Sequence, residues 1–237
     1  MKLAGALCLV TGASSGIGRA TAGALAGRGA RVIALGRDAE RLAGVGERQV
    51  VWDLAEPEGL AEEIGRVDVL VNNAGFGWAG AVAETPDVEH LVAVNLVAPI
   101  QLARAFVPAM VAAGRGHVVN VASIAGFVGP RDEAVYSATK GGLIAFSESL
   151  RYELRGTGVG VTLVAPGVIA TEFFERRGSP YDRAWPRPIP AARVAEAIAG
   201  AIEHERDEVF VPRWLSVVAR LRGAAPGLFR VLTARFG

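Results

Sequence analysis

Tyr136 and Lys140 lie four residues apart in the segment YSATK at 136–140, a spacing that puts two side chains on one face of a helix. A free phenol titrates near pH 10 and is a poor acid or base at neutral pH. An ammonium group about 4 Å away is worth roughly 4 kcal/mol at an effective dielectric constant of about 20. We therefore expect the phenol pKa to fall by up to about 3 units, so that Tyr136 could donate a proton to a carbonyl oxygen or accept one from an alcohol.

Two further polar residues could serve the same reaction. Ser123 follows the predicted strand His117–Val121, and the carboxyl ends of strands are where open α/β sheets bind ligands; a turn or cap residue is the alternative. Asn95 precedes Pro99 by four residues in a predicted helix, and a proline there offers no N–H to the Asn95 carbonyl. A water molecule would be the natural partner of that carbonyl, whereas a kink beside a buried asparagine is the plainer alternative.

A glycine-rich turn follows the first apolar run. The segment TGASSGIG at 11–18 places Gly12, Gly16 and Gly18 in the spacing GxxxGxG directly before a predicted helix. Free N–H groups and the positive end of the dipole make a helix N-terminus a phosphate site, and glycines let a pyrophosphate approach closely. The position after the first strand predicts a dinucleotide site rather than a flexible loop with incidental glycines.

The end of the second predicted strand indicates which nicotinamide dinucleotide is bound. It reads Leu35-Gly36-Arg37-Asp38. A carboxylate at this position holds the ribose hydroxyls of NAD, whereas an arginine accommodates the 2′-phosphate of NADP. Asp38 lies one residue beyond the usual acidic position and is expected to cap the next helix. The pattern therefore favours NADP over NAD.

The elements that must position these residues alternate between short apolar runs and helical stretches. Most of the runs are apolar on both faces, as in a covered parallel sheet, so the pattern predicts an α/β, doubly wound sheet of about seven strands with helices on both faces. The predicted strands are Ala6–Val10, Arg31–Leu35, Gln49–Trp52, Val67–Val71, His117–Val121, Val159–Val164 and Glu208–Val211. Helices are predicted to begin near Gly16, Ala39, Glu56, Pro86 (capped by Thr85), Tyr136 and Ala191.

Taken in order, these motifs resemble the compact, single-domain branch of the short-chain dehydrogenase/reductase family. The resemblance extends to about Pro212 and also includes Asp53 after the third strand, NNAG at 72–75 and PGVIAT at 166–171. It implies a Rossmann-type fold and hydride exchange between NAD(P) and a carbonyl or alcohol. Tyr136 would be the acid/base, Lys140 would lower its pKa and hold the nicotinamide ribose, and Ser123 would orient the substrate oxygen. The Asn95 main-chain carbonyl would hold a water that leads to Lys140.

The same resemblance implies a cofactor site. Asp53 and Leu54 would bracket the adenine, Asn73-Ala74-Gly75 would line the adenosine side, and Ile169 and Thr171 would fix the carboxamide. Some NADP-preferring members carry a basic residue directly before Gly16, where this sequence has Ser15, so Arg37 is the one marker present. The complete set is Gly12, Ser14, Ser15, Gly16, Ile17, Gly18, Arg37, Asp53, Leu54, Asn73, Ala74, Gly75, Tyr136, Lys140, Pro166, Gly167, Ile169 and Thr171.

Residues 1–212 are predicted to form the single catalytic domain, with a substrate lid at about 171–190. The lid sequence contains Phe173, Phe174, Tyr181 and Trp185, which fit an apolar or bulky carbonyl substrate or else anchor the lid to the body. Its arginines, Arg176, Arg177, Arg183 and Arg187, could attract an acidic group or be solvated.

Residues 213–237 form a basic amphipathic tail that Pro226-Gly227 divides into two predicted short helices. Such a helix could contact a membrane surface, or dock on its own body or on a second subunit. The basic residues are Arg213, Arg220, Arg222, Arg230 and Arg235. The apolar residues are Trp214, Leu215, Val217, Val218, Leu221, Leu228, Phe229, Val231, Leu232 and Phe236.

Composition excludes several classes of protein. The net charge of +1 gives no case for a nucleic-acid partner, and the single cysteine, Cys8, fits a reducing compartment, here the cytoplasm. The uncharged stretch 156–171, which no other stretch exceeds in length, is too short and too broken to cross a bilayer. Three scattered histidines predict no metal site. A non-catalytic NADP-binding regulator or a membrane-surface module of the same fold remains the alternative to an enzyme acting on a small carbonyl or alcohol.

The resemblance also implies a homodimer and, less directly, a homotetramer built around Glu208–Val211. Two predicted helices, Pro86–Ala113 and Tyr136–Arg155, carry more apolar residues than one sheet face needs, and related proteins pair these helices across a two-fold axis. The residues expected to meet a symmetry mate are Leu91, Val94, Val97, Val107, Val111, Leu143, Phe146 and Leu150.

Overall fold

A computed structural model describes residues 1–227 and 229–231. Nine strands occur in chain order: β1 Leu7–Thr11, β2 Arg31–Gly36, β3 Arg48–Val51, β4 Val69–Asn72, β5 Gly116–Val121, β6 Val159–Pro166, β7 Ile169–Ala170, β8 Ile189–Pro190 and β9 Glu208–Val211. Seven of them form one parallel sheet in the order β3-β2-β1-β4-β5-β6-β9, and β7 pairs with β8 separately. The order changes direction between β1 and β4, which is the point where doubly wound sheets bind ligands. The predicted Rossmann-type sheet and its seven strands are confirmed.

The helices are α1 Gly16–Ala26, α2 Ala39–Leu42, α3 Leu60–Ile64, α4 Val88–Val92, α5 Ala98–Ala112, α6 Ile124–Val128, α7 Ala134–Glu153, α8 Phe173–Arg176, α9 Ala191–Glu203 and α10 Leu215–Ala224. A π-helical turn, Ala93–Val97, joins α4 to α5. The sheet has a core on each face, because alternate strand residues point to opposite sides. Leu25 of α1 and Ile198 of α9 are buried on one face, and Phe106 and Met110 of α5 on the other.

Two predicted helix starts are wrong. The helix expected near Pro86 begins at Val88, because the Asp87 carboxylate, not Thr85, is the cap and accepts the His90 N–H at 2.9 Å. A carboxylate at this position also meets the positive end of the helix dipole. The helix expected near Glu56 begins only at Leu60, after Gly59 in a left-handed conformation.

The helical run Val88–Ala112 is long and apolar enough to cross a membrane by length and composition. An 18-residue window within it has a mean hydropathy of 1.6, but half of that window is buried inside the protein. Its buried face covers the sheet, as expected for a core helix.

This burial also corrects the predicted dimer face. Five of the eight residues expected to meet a symmetry mate are buried within the subunit: Leu91, Val94, Val107, Leu143 and Leu150. Val97 and Val111 are 41% and 37% exposed.

Candidate active site

The predicted catalytic side chains converge at the carboxyl end of β5. Helix α7 carries Tyr136 and Lys140 in its first two turns, and Ser123 caps α6, with its hydroxyl accepting the Ala125 N–H at 3.1 Å. The same hydroxyl hydrogen-bonds the Tyr136 phenol. The Lys140 ammonium donates to the Val121 carbonyl at 3.0 Å and lies 5.8 Å from the centroid of the Tyr136 ring. Ser123 therefore caps α6, as the alternative interpretation expected, and also lies beside the Tyr136 phenol.

Burial dominates the electrostatics of this group. It raises the pKa of Tyr136 above its ordinary value, while the hydrogen bond from Ser123 acts in the opposite direction. Burial also lowers the pKa of the Lys140 ammonium to about 8. The expected depression of the phenol pKa by Lys140 is wrong for the protein in this state, because the ring is only 7% exposed and the loss of solvation outweighs the nearby charge.

Asn95 is fully buried in the π-helical turn and does not line the cleft. Its side-chain oxygen accepts the Phe76 N–H at 3.0 Å, and its amide donates to the Phe76 carbonyl at 2.8 Å and to the Thr139 hydroxyl at 3.3 Å. The side chain therefore ties the loop after β4 to the catalytic helix. The water-holding role of the Asn95 main-chain carbonyl stays a prediction.

The glycine turn has the geometry of a phosphate cradle. Gly12 and Gly16 have left-handed φ values of +66° and +53°. A Cβ on Gly12 would lie 2.8 Å from the Ala74 Cα, and one on Gly16 would lie 3.2 Å from a methyl carbon of Thr171. Helix α1 starts here, with no acidic residue in its first turn. Its free N–H groups are therefore open to an anion.

Gly18 and Asn73 hold this turn together. A Cβ on Gly18 would lie 2.2 Å from the Gly12 carbonyl oxygen, so this glycine is needed for close packing of α1 and does not line the cleft. The Asn73 amide donates to the Thr11 carbonyl at 2.8 Å. Asn73 thus stabilises the glycine turn and also lines the cleft.

The end of β2 presents basic side chains. Asp38 caps α2 by accepting the Arg41 N–H at 3.0 Å, as expected. Arg37 extends into the cleft, where its guanidinium lies 3.8 Å from the Asp53 carboxylate and 3.5 Å from His90 Nε2. Arg41 also lines the cleft. Arg41 was not predicted as a site residue, although its position four residues after Arg37, in the helix that follows β2, was a usable signal.

Arg41 is connected to the lid through Glu172. The Glu172 carboxylate accepts Arg41 Nη1 at 2.7 Å and also binds Arg176. Arg176 in turn approaches the Ser15 hydroxyl of the glycine turn at 3.4 Å. Both guanidinium groups therefore have a carboxylate partner, and Arg176 also lies beside the glycine turn, where the pyrophosphate is predicted.

The lid, 171–190, packs directly against the catalytic residues. The Phe173 and Tyr136 rings lie 5.4 Å apart, and Phe174 contacts Tyr181 at 5.2 Å. Arg177 pairs with Glu133 just before α7. The lid aromatics therefore both anchor the lid and line the cleft.

The tail docks on its own body over its described part. Leu215 and Phe229 are buried, whereas Val217 and Val231 are exposed. Together with Trp214, Val218 and Leu221, the two buried residues line the cleft that contains Tyr136, a role that the sequence analysis missed. Four tail residues named above, Leu228, Leu232, Arg235 and Phe236, lie outside the described residues.

One cleft of about 1750 Å³ brings these parts together. Every predicted site residue lines it except Gly18 and Asn95. A cleft with a phosphate cradle at one end and a buried phenol at the other fits a dinucleotide and a second small molecule. Within residues 1–227 and 229–231, no group of three or more histidine, cysteine or acidic side chains is placed to hold a metal ion.

Comparison with known proteins gives consistent matches along the chain. A family model described as short chain dehydrogenase matches residues 6–182. Dehydrogenase/reductase SDR family member 7B of Bos taurus is 34% identical over an alignment that covers 97% of this chain and 81% of that protein. A short chain dehydrogenase from Burkholderia cenocepacia, solved with NADP, superposes with a TM-score of 0.85 at 33% identity, covering 99% and 98% of the two chains. A short chain dehydrogenase/reductase from Burkholderia phymatum, solved with NAD, gives 0.83 at 26% identity, covering 96% of each chain.

Proposed function

Because this chain belongs to the short-chain dehydrogenase/reductase family, we propose that it is an NADPH-dependent reductase of a small carbonyl compound. The observation that carries the proposal is the position of Tyr136. Its phenol shares one cleft with the glycine cradle and is hydrogen-bonded to Ser123. Burial keeps the phenol pKa high, so Tyr136 is protonated at neutral pH and is suited to donate a proton to a carbonyl oxygen.

The chemistry divides between the cofactor and the chain. A bound nicotinamide dinucleotide supplies the hydride that adds to the carbonyl carbon. The Ser123 hydroxyl hydrogen-bonds the substrate oxygen, and Tyr136 transfers its phenolic proton to that oxygen as negative charge develops there. Lys140 stabilises the phenolate that remains, since an ammonium beside it in a buried site interacts strongly. The reverse sequence oxidises an alcohol.

NADP is proposed over NAD because of the chemistry at the end of β2. Asp38 caps α2 and its carboxylate lies 3.4 Å from the Arg41 guanidinium, so ribose hydroxyls would compete with partners that it already has. Arg37 is 62% exposed at the cleft and pairs only loosely with Asp53 at 3.8 Å. A 2′-phosphate would offer it a stronger, charge-assisted partner, and Arg41 lies one turn away.

Turnover tests the proposal directly. NADPH consumption is measured across aldehydes, ketones and oxoacyl thioesters with the full chain and with Tyr136→Phe. The variant should retain NADPH affinity and lose about 10²–10⁴-fold in turnover, because only the proton-transferring oxygen is removed.

Tyr152→Phe is the matched control, since Tyr152 is 63% exposed and outside the cleft. Near-normal turnover by Tyr136→Phe would reject Tyr136 as the acid. NADPH binding without turnover of any substrate would instead favour the non-catalytic regulator.

We also propose that the enzyme is a cytoplasmic homodimer, with a homotetramer built around Glu208–Val211 as the alternative assembly. The free, buried Cys8 fits a reducing compartment. Val97 and Val111 leave apolar side chains exposed on the helical face expected to pair. Weak contact of the tail with a membrane surface would use its exposed Val217 and Val231.

A further inference from the structure

We infer that the tail helix α10 and the lid form an apolar subsite for a long hydrocarbon chain on the carbonyl substrate. The inference rests on the proposed reductase function and names its substrate class. The cleft of about 1750 Å³ contains both the predicted dinucleotide site and the space around Tyr136. The glycine cradle and Arg37 occupy one end of it, and the other end extends past Tyr136 to the tail.

The tail forms a built wall at this end. Leu215 is 6% exposed and packs against Ala165 and Phe210. A Cβ on Gly167 would lie 2.8 Å from the Leu215 side chain, so α10 lies directly against the turn that follows β6. The half-buried Val218 and Leu221 line the cleft on the next turns of the helix.

The lid supplies the opposite wall. Trp185 stacks on Trp214 of the tail, with ring centroids 5.5 Å apart and an angle of 21° between the planes. These two rings are 70% and 42% exposed, which is unusual for such large apolar groups unless they meet a ligand or partner. Because both also line the cleft, they connect lid and tail across its outer end.

Aromatic rings continue inward from this bridge. Tyr181, held by a hydrogen bond from its hydroxyl to the Pro186 carbonyl at 2.8 Å, contacts Phe174. Phe174 packs edge-on against Phe173 at 5.6 Å, and Phe173 reaches Tyr136. A carbonyl held at the phenol would therefore place an attached chain along aromatic and aliphatic walls.

The charge of Arg177, beside the Phe174 ring, is balanced within the protein. Arg177, one of the lid arginines considered for an acidic group, pairs with Glu133 and lies 4.6 Å from the Phe174 ring centroid. Its charge is thus compensated within the protein, so Arg177 does not require an acidic group on the substrate.

Chain length is the variable that tests the subsite. Straight-chain aldehydes from propanal to decanal are compared as substrates, and the matching alkanols as ligands followed by tryptophan fluorescence, which needs no turnover. Each buried methylene should improve kcat/KM, and lower the alkanol Kd, by up to about fourfold until the walls are filled.

Three variants locate the effect. Trp214→Ala and Leu221→Gln should lose about tenfold or more for the longest chains and stay near normal for propanal, because only the outer wall is altered. Val217→Ala is the control on the same helix, since Val217 is 64% exposed and does not line the cleft. Thermal melts show whether each variant is folded. If Trp214→Ala does not fold, Leu221→Gln provides the test of the wall.

The outcomes separate the two proposals. Chain-length dependence that both wall variants flatten would support the subsite. The subsite would be overturned if kcat/KM and the alkanol Kd did not depend on chain length, or if the wall variants left that dependence unchanged. Chain-length-dependent alkanol binding without NADPH consumption for any aldehyde, ketone or oxoacyl thioester would support the subsite and reject the reductase.

Discussion

Lys140 should make the protein less stable at neutral pH than an apolar residue of the same length would. Burial lowers the pKa of its ammonium from 10.5 to about 8, so the folded state binds this proton more weakly than the unfolded state does. The destabilisation is complete below about pH 8 and disappears as the pH rises through 10.5. The gap between the two pKa values is worth roughly 3 kcal/mol at pH 7.

Lys140→Met removes this pH-dependent term. It also removes the hydrogen bond to the Val121 carbonyl, at a cost of roughly 1–3 kcal/mol that does not vary with pH. The informative quantity is therefore the difference in unfolding free energy between the variant and the parent chain. We expect that difference to fall by about 2 kcal/mol between about pH 7 and 9.5.

Urea denaturation at a series of pH values measures this difference. The chain offers a matched control, because Lys2 is exposed and is the only other lysine of the sequence. Lys2→Met should follow the parent curve at every pH. With two lysines, NMR of lysine-labelled protein should also resolve the Lys140 signal, assigned by its loss in Lys140→Met, with a midpoint near pH 8. Parallel stability curves for Lys140→Met and the parent chain would refute the reasoning.

Three further predictions concern cofactor, stability and assembly. Arg37→Ala should weaken the binding of NADPH by about 10- to 150-fold, which corresponds to the roughly 1.5–3 kcal/mol of a charge-assisted hydrogen bond, and should leave the affinity for NADH nearly unchanged. Equal losses of affinity for the two cofactors, measured by fluorescence titration, would count against NADP. Burial lowers the pKa of His117 from 6.5 to about 4, so only the unfolded state gains its proton on acidification, and stability should fall by about 2.5 kcal/mol between about pH 7.5 and 4.5. His117→Gln should flatten that fall in urea denaturation, and an unchanged slope would assign the pH dependence to other groups. Light scattering should show that the parent chain is a dimer and that Val97→Glu dissociates it. The control Val82→Glu, on an exposed 3-10 turn, should leave the dimer intact. A monomeric parent chain at micromolar concentration would refute the dimer.

The sheet was predictable because its strands carry their own signal. Residues such as Leu9 and Val10 are both buried, on opposite faces, so a covered parallel strand appears as an unbroken apolar run. The glycine turn was equally readable, since left-handed φ values and close packing leave little choice of residue. Boundaries were less readable, as Asp87 shows, because several neighbouring residues can cap the same helix.

The properties that depend on distant contacts were not predictable. The raised phenol pKa of Tyr136 results from burial, to which the ring of Phe173, 37 residues away in the chain, contributes. The four-residue spacing between Tyr136 and Lys140 does not predict that burial. The tail shows the same limit. An amphipathic pattern identifies which side of a helix is apolar, but the surface it covers, here the turn at Gly167, comes from tertiary structure.

The carboxylate of Glu172 has to serve two guanidinium groups, those of Arg41 and Arg176. Arg41 also pairs with Asp38 at 3.4 Å, and the Arg19 guanidinium donates to the Arg41 carbonyl at 3.1 Å. Three guanidinium groups therefore share two carboxylates near Ser15 and the start of α1, which leaves an excess of positive charge to which the helix dipole adds. A dianionic or more highly charged nucleotide approaching from solvent is drawn to this mouth over roughly one Debye length, about 8 Å at physiological ionic strength. Added salt should therefore slow nucleotide association, while entry of a neutral carbonyl compound at the tail end of the cleft should be indifferent to it.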